Sequence, residues 1–188
     1  MAKVSDVSER TSQSAPFPLR VLGIDPGSRN LGYGIVEKDG NRLKALAWGT
    51  LRFDGKKDLV HRLDDIYREV GGLFEPWHPH HVAVEKVFFA KDAIAALKLG
   101  QARGVAILAA IQRGCQFFEY SPNEVKRSVV GHGHADKEQV AKMMSLLLRI
   151  DRFETPDASD ALAIAVCHLN SYAYRSRMNQ ALQGGPLP

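Results

Sequence analysis

Short apolar runs alternate with longer stretches of helical periodicity along this chain, and their order predicts an α/β fold. Apolar and β-branched runs predict five strands, at 19–25, 32–38, 42–52, 81–85 and 116–120. Apolar residues at helical spacing predict five helices, at 58–74, 93–113, 121–129, 136–150 and 156–172. Lys38-Asp39-Gly40-Asn41 is a hairpin signal between the second and third strands. We therefore expect a mixed sheet flanked by helices, with strand ends opening onto a crevice.

Two of the predicted helices begin with capping signals. Ser121 is followed by Pro122 and, at the third helical position, by Glu124, which is a capping box with proline at the first position. Asp136 and Gln139 form a second possible start signal.

Two acidic residues end predicted strands. Asp25 closes the apolar run 21–24 and precedes a Pro-Gly turn, and Glu85 closes the run 81–84. Burying a charge such as that of Glu85 without a partner costs roughly several kcal/mol, so a cation is expected nearby. Asp157 and Asp160 lie three residues apart at the start of the last predicted helix, and both project from one face of its first turns.

Each acid also has an ordinary structural interpretation when taken alone. Asp25 could be a turn residue, and Asp157 is a favourable charge at a helix N-terminus beside Thr155 as N-cap and Pro156 at the first helical position. Strand-borne acids have no capping role, however, and Asp160 lies a turn deeper than the helix dipole usually reaches. Together the four residues predict one shared site.

Four carboxylates at one site require divalent cations. Within about 4 to 5 Å of one another, each pair would repel by roughly 3 to 4 kcal/mol at an effective dielectric constant near 20. All-oxygen ligands suit Mg²⁺ or Mn²⁺, and two such ions can clamp the attacking and leaving oxygens of an in-line displacement at phosphorus. The pattern therefore predicts metal-dependent cleavage of a phosphodiester.

Composition agrees with one domain and a polyanionic partner without deciding either. The chain has 188 residues, 45% of them apolar, and a net charge of +4. Such a mild excess is also common in proteins that bind no nucleic acid. Cys115 and Cys167 show no zinc spacing, so we expect packing residues and a cytoplasmic location.

The two ends of the chain differ from its centre. Residues 1–18 are polar and Ser-rich, which predicts a disordered extension rather than a signal peptide, and 175–188 are predicted to be a flexible tail. The domain between them would span 19–174. No apolar run looks long enough to cross a membrane, so no membrane partner is expected.

Four motifs in order carry a resemblance to a known family. They are LGIDPGSRNLGYG at 22–34, VEKVFFAK at 84–91, ALKLGQARGVAI at 96–107 and DASDALAIA at 157–165. Together they resemble the bacterial RuvC Holliday-junction resolvases over about residues 19–172. The resemblance implies a ribonuclease-H-like fold with a five-stranded mixed sheet, and a homodimer that nicks two like-polarity strands of a four-way DNA junction. It implies Mg²⁺ or Mn²⁺ bound by the acidic quartet Asp25, Glu85, Asp157 and Asp160, 5′-phosphate products, and docking onto a RuvA and RuvB branch-migration complex.

The DNA contacts are likewise carried over from the resemblance. Phe88, Phe89 and Lys91 follow the Glu85 strand, where an aromatic ring can stack on an unpaired base for roughly 1 to 3 kcal/mol. The resemblance favours Phe88 as the ring that faces DNA. Lys126 and Lys137 match basic positions of the family that lie close to the substrate backbone. Without the family, the aromatics would be assigned to the core and the lysines to solvated surface.

The helix predicted at 93–113 carries small residues on two faces. Ala96, Gly100 and Gly104 recur every four residues, and glycine inside a helix costs roughly 1 kcal/mol relative to alanine. These glycines either allow close packing on the chain's own sheet or form a dimer interface, and the resemblance favours the dimer.

Two other functions remain open at this level. The segment 23–28 also resembles the first phosphate loop of actin-like and sugar-kinase ATP-binding proteins, although such proteins need a second Asp-Gly loop. A junction-binding protein without nuclease activity is the other alternative, and the intact quartet argues against it. The histidines at 78, 80, 81, 132, 134 and 168 compel no zinc site, and we expect His168 to be a core residue.

Overall fold

The fold is that of a computed structural model, which describes residues 18–86 and 92–182. Within them it contains five strands and six helices: β1 (Leu19–Asp25), β2 (Asn30–Asp39), β3 (Arg42–Arg52), α1 (Leu59–Gly72), α2 (Phe74–Trp77), β4 (His81–Glu85), α3 (Ala93–Ile111), β5 (Gln116–Tyr120), α4 (Pro122–Val130), α5 (Lys137–Leu148) and α6 (Pro156–Leu182).

The strands form one mixed sheet in the order β3-β2-β1-β4-β5. β2 pairs antiparallel with both β1 and β3. The predicted hairpin turn joins β2 to β3 at Gly40, which has a positive φ of 56°. β4 pairs parallel with β1 and with β5. The predicted five-stranded mixed sheet flanked by helices is confirmed.

Apolar side chains alternate between two cores, one on each face of the sheet. Val21 of β1 and Ala83 of β4 belong to the core under α4, α5 and α6. Leu22 of β1 and Val82 of β4 belong to the opposite core, under α1 and α3. Because side chains alternate, Asp25 and Glu85 share the α6 face with Val21 and Ala83.

Glycines in the sheet bring α6 into direct contact with the strand backbones. A Cβ at Gly23 would lie 2.1 Å from the backbone oxygen of Ala161, and one at Gly32 would lie 2.2 Å from that of Asp157. A Cβ at Gly34 would lie 2.8 Å from Leu162. Only glycine permits this approach, so these three positions determine how closely the start of α6 lies over β1 and β2.

The capping signals predicted the starts of α4 and α5. Both reciprocal bonds of a capping box form between Ser121 and Glu124 and between Asp136 and Gln139. The hydroxyl of Thr155, expected to cap α6, lies 2.5 Å from the hydroxyl of Thr50. α6 continues to Leu182, beyond its predicted end at residue 172. The division into a domain and two tails stays a prediction.

The expectation that no segment is long and apolar enough to cross a membrane was wrong for α3. This 19-residue helix meets both criteria of length and composition. A helix that packs on a sheet along one face meets the same criteria, and Ala102, Ala106 and Ala109 of α3 are fully buried in the core. The prediction failed because it rested on uninterrupted apolar runs, and in α3 Lys98 and Arg103 interrupt the apolar residues.

Candidate active site

Asp25 and Glu85 end neighbouring parallel strands at the same edge of the sheet. Ile24 pairs with Val84, so the residues that follow them, Asp25 and Glu85, lie side by side. Both side chains are half-buried and project toward α6. The apolar runs that predicted these strands therefore also place the two carboxylates together.

The first turns of α6 bring the other two acids to this edge. Asp25 pairs with Gly32 of β2, and the backbone of Asp157 lies directly against Gly32. Asp160 follows one turn later on the same face of the helix. All four predicted acids therefore lie at the carboxyl end of β1 and β4.

The carboxylates affect one another's protonation. The pKa of Asp25 is raised from 3.8 to about 7, chiefly because burial disfavours the charged form and then because of repulsion by Glu85, Asp160 and Asp157. Burial also raises the pKa of Glu85, with repulsion from Asp160 adding to the effect. Such mutual repulsion marks a site that is short of positive charge.

Two predicted lysines lie beside the quartet. The ammonium of Lys137 donates a 3.0 Å hydrogen bond to Asp160, an ion pair in which the lysine side chain remains 75% exposed. This bond and the attraction of Asp160 raise the pKa of Lys137. Lys137 and Lys126 both lie near enough to Glu85 to lower its pKa. Phe88, Phe89 and Lys91, which were predicted to bind DNA, lie outside the described residues.

The donor chemistry of the quartet suits a hard divalent cation, because every donor is a carboxylate oxygen. Within residues 18–86 and 92–182, no three His, Cys, Asp or Glu side chains lie close enough together to coordinate one metal ion. The four acids therefore approach one another without forming a closed ligand cage. The ion pair between Lys137 and Asp160 supplies one positive charge at this edge.

Comparisons with known proteins agree with this geometry. The family model described as crossover junction endodeoxyribonuclease RuvC matches residues 21–168. The chain belongs to the RuvC family. It is 50% identical to the RuvC of Geobacter sulfurreducens over 158 residues, which are 84% of this chain and 96% of the relative. It is 49% identical to the RuvC of Bartonella quintana over 150 residues, 80% of this chain and 89% of the relative.

Solved structures of the family share the fold. Thermus thermophilus RuvC is 34% identical and superposes with a TM-score of 0.74 over 84% of this chain and 97% of its own. T. thermophilus RuvC in complex with a Holliday junction substrate gives a TM-score of 0.76 at 29% identity, over 83% and 96% of the two chains. Membership of the RuvC family makes this chain a crossover junction endodeoxyribonuclease by class, and the ribonuclease-H-like fold is confirmed.

Arg103 is a residue at this RuvC site that sequence analysis missed. Its Nε donates to the backbone oxygen of Glu85 at 3.3 Å, and its guanidinium also forms an ion pair with Glu119 of β5. Arg103 thereby connects α3 to the end of the strand that carries Glu85. It lies within the quoted motif at 96–107, but sequence spacing gives no sign of a contact between residues 18 positions apart on different elements.

A buried polar network joins the far part of α6 to β4 and β5. His168 lies 2.8 Å from His81 through one ring nitrogen and 2.8 Å from the hydroxyl of Tyr120 through the other. Burial lowers the pKa of His81 to about 4, so this ring is neutral at physiological pH. The prediction that His168 is a satisfied core residue is confirmed. Cys115 and Cys167 are likewise buried.

Proposed function

We propose that this chain is a structure-selective endonuclease that resolves Holliday junctions by nicking two like-polarity DNA strands in recombination and repair. The observation that carries the proposal is the presence of four acids at one sheet edge, where burial and then repulsion by the other three raise the pKa of Asp25 to about 7. Family membership supplies the substrate class. Water would attack phosphorus, and cleavage of the bond to the 3′ oxygen would leave 5′-phosphate and 3′-hydroxyl ends.

The acids are proposed to hold Mg²⁺ or Mn²⁺, two per active site. Asp25, Glu85 and Asp160 would hold the ions, and Asp157 would bind metal or orient the attacking water. Bound ions would supply Lewis-acid stabilisation of the attacking and leaving oxygens. The protein's own contribution is to hold carboxylates that repel one another, so that cation binding relieves their repulsion.

Lys126 and Lys137 are proposed to bind the DNA backbone beside the acids. Each already acts electrostatically on Glu85, and the ammonium of Lys137 is largely exposed. A phosphate that entered the site could accept hydrogen bonds from it. Phe88, Phe89 and Lys91 remain proposed DNA contacts on the basis of the family resemblance.

A homodimer through α3 is the proposed assembly. A Cβ at Gly100 or Gly104 would meet no atom within 4 Å among the residues that the structure describes, so neither glycine packs against that part of its own subunit. Four apolar residues are exposed on the same side of the helix as these glycines, with Gln101 between the two pairs: Ile94, Leu97, Leu108 and Ile111. A second α3 packed on this side of the helix would bury these residues and pair two active sites about a two-fold axis.

Docking onto a RuvA and RuvB branch-migration complex and a cytoplasmic location complete the proposal. Both rest on the resemblance and, for location, on the low number of cysteines, two, neither of which shows zinc spacing. Pull-down from cell extract with the tagged full chain tests the partner: recovery of RuvA or RuvB supports docking, and their absence under conditions that retain the dimer contradicts it.

Incubation with a synthetic mobile four-way junction tests the central function. In Mg²⁺ the chain should produce paired nicks with ligatable 5′-phosphate ends, and EDTA should abolish them. ATP hydrolysis measured in parallel should be negligible. Nucleotide hydrolysis without nicking would favour the ATP-binding alternative, and tight junction binding without nicking would favour a binding protein.

A further inference from the structure

A second cleft lies beside the acidic site, on the other side of β2. It has a volume of about 580 Å³ and is lined chiefly by Trp48, Thr50, Arg52, Arg152, Glu154 and Thr155. These residues come from the end of β3 and the segment that leads into α6. None of them belongs to the acidic quartet or to the proposed DNA contacts.

Strand register fixes the distance between this cleft and the scissile site. Asp25 pairs with Gly32, and Gly32 pairs with Thr50, so Thr50 lies in the same row two strands away. Neighbouring strands are separated by about 4.8 Å, which puts Thr50 about 10 Å from Asp25. The hydroxyl of Thr50 contacts that of Thr155, two residues before Asp157. A nucleic-acid strand cut at the acids could therefore reach this cleft directly.

The side chains that line the cleft suit a nucleotide. Alternation along β3 places Trp48 and Arg52 on the same face as Thr50, the face that α6 covers. Trp48 is 37% exposed, although an indole is usually more deeply buried. Arg52 and Arg152 are exposed, and neither forms an ion pair with any residue in the described ranges. Glu154 is the one acid among the lining residues, so two cations face one anion.

We propose that this cleft, formed by Trp48, Arg52 and Arg152, binds the DNA strand that flanks the scissile phosphate. Trp48 stacks on an unpaired base next to the crossover, and the two guanidinium groups bind neighbouring phosphates. An exposed aromatic ring beside free cations is the combination by which proteins hold single-stranded nucleic acid. The inference deepens the proposed nuclease function and rests on it, because the bound strand is the one that is cut.

Tryptophan fluorescence tests the stacking directly, since the chain has only two tryptophans. Trp77→Phe leaves Trp48 as the only indole, and adding Asp25→Asn prevents cleavage during the titration. A four-way junction carrying a dye on one distant arm is added in the presence of Mg²⁺. Trp48 emission should be quenched along the same curve as the rise in dye anisotropy.

The two readouts separate the possible failures. A rise in anisotropy with unchanged Trp48 emission overturns the cleft assignment while leaving the nuclease function standing. No rise in anisotropy contradicts junction binding itself, and the cleft assignment falls with it.

The arginines are tested by salt dependence. Arg52→Ala with Arg152→Ala should reduce the magnitude of the log-log salt slope of junction binding by about two, because two phosphate contacts are lost. Arg42→Ala with Lys44→Ala is the matched control, since it removes two exposed cations from the opposite end of β3. Equal changes in the slope for both double variants would show only a general charge effect and overturn the assignment.

Discussion

The two long helices α3 and α6 lie on opposite faces of the same sheet, and they expose very different amounts of apolar surface. Residues 161–169 of α6 are almost completely buried, and its backbone touches the strands through Gly23 and Gly32. α3 is also apolar, yet it buries one face and leaves Ile94 and Leu97 about 65% exposed. Apolar composition therefore has two separate causes here: α6 is buried against its own sheet and carries two of the proposed catalytic acids, whereas α3 leaves apolar side chains exposed on the surface proposed for dimerisation.

The sharpest test of this difference removes the carboxylates that α6 helps to assemble. Asp157→Asn, Asp160→Asn, Asp25→Asn or Glu85→Gln should each lower single-turnover cleavage at least about a thousandfold, because metal stabilisation supplies several kcal/mol. Junction binding should stay intact or tighten, since a charge that repels phosphate is lost. Asp64→Asn, an exposed acid on α1, is the control. Full cleavage by two of the four variants would exclude a four-acid site.

Paired glycine substitutions compare the packing of the two helices. Gly23→Ala should destabilise the fold by about 3 kcal/mol or more, because its Cβ would overlap the backbone of Ala161. The added Cβ of Gly104→Ala would contact none of the described residues, and the substitution should change subunit stability by at most about 1 kcal/mol, in the stabilising direction. Urea unfolding, extrapolated at several protein concentrations, measures both. Similar losses for the two variants would mean that α3 packs as tightly as α6.

The pH dependence of stability reports the burial of Asp25 and, after it, the repulsion of Asp25 by the other three acids. The ordinary pKa of an aspartate is 3.8, and that of Asp25 in the folded chain is about 7. Between these two pH values the folded state therefore binds a proton that the unfolded state has lost. Without metal, Asp25 should therefore cost about 4 kcal/mol of stability as pH rises from about 4 to 7, and no more above that. Mg²⁺ added at pH 8 should restore the lost stability.

Asp25→Asn removes the titration of Asp25 but keeps that of His81. The difference in stability between the native chain and this variant therefore reports Asp25 alone. The lowered pKa of His81 acts in the opposite direction, increasing stability as pH rises above about 4. A difference curve that is flat between pH 4 and 7 would contradict the raised pKa of Asp25.

The exposed side of α3 that carries Gly104 is tested by oligomeric state. Gly104→Leu should weaken the dimer at least about tenfold, or roughly 1.4 kcal/mol, because the bulky side chain prevents close approach of a second α3. Gly72→Leu is the matched control, since Gly72 is an equally open glycine at the end of α1. Light scattering over a dilution series measures both. A folded Gly104→Leu dimer of unchanged affinity would exclude this face as the interface.

The smallest expected effect concerns Lys126, on the face of the sheet that α6 covers. Lys126→Ala should reduce the magnitude of the salt slope of junction binding by about one, since one phosphate contact is lost. Lys44→Ala, on the exposed part of β3, should leave the slope unchanged. Binding isotherms at several salt concentrations provide the measurement, and an unchanged slope for Lys126→Ala would assign this lysine to the solvated surface.

Much of the fold could be predicted because its signals are local. Short apolar runs predicted all five strands, a capping box and a second start signal predicted the starts of α4 and α5, and acids at the ends of buried strands predicted the candidate site. Contacts between distant segments could not be predicted in this way. The bond from Arg103 to Glu85, the ion pair of Lys137 with Asp160 and the close approach of α6 over Gly23 depend on pairings that only the folded topology creates.

The buried hydrogen bonds of His168 restrict how this protein can change in length. His168 fixes one part of α6 against β4 and β5, and the glycine contacts fix its first turns over β1 and β2. One residue inserted between Asp160 and His168 would rotate one part relative to the other by about 100°, because a helical turn holds 3.6 residues. Either the histidine or the two aspartates would then leave their places. Insertions at the Gly40 hairpin carry no such penalty, so variation in length is expected there rather than in α6.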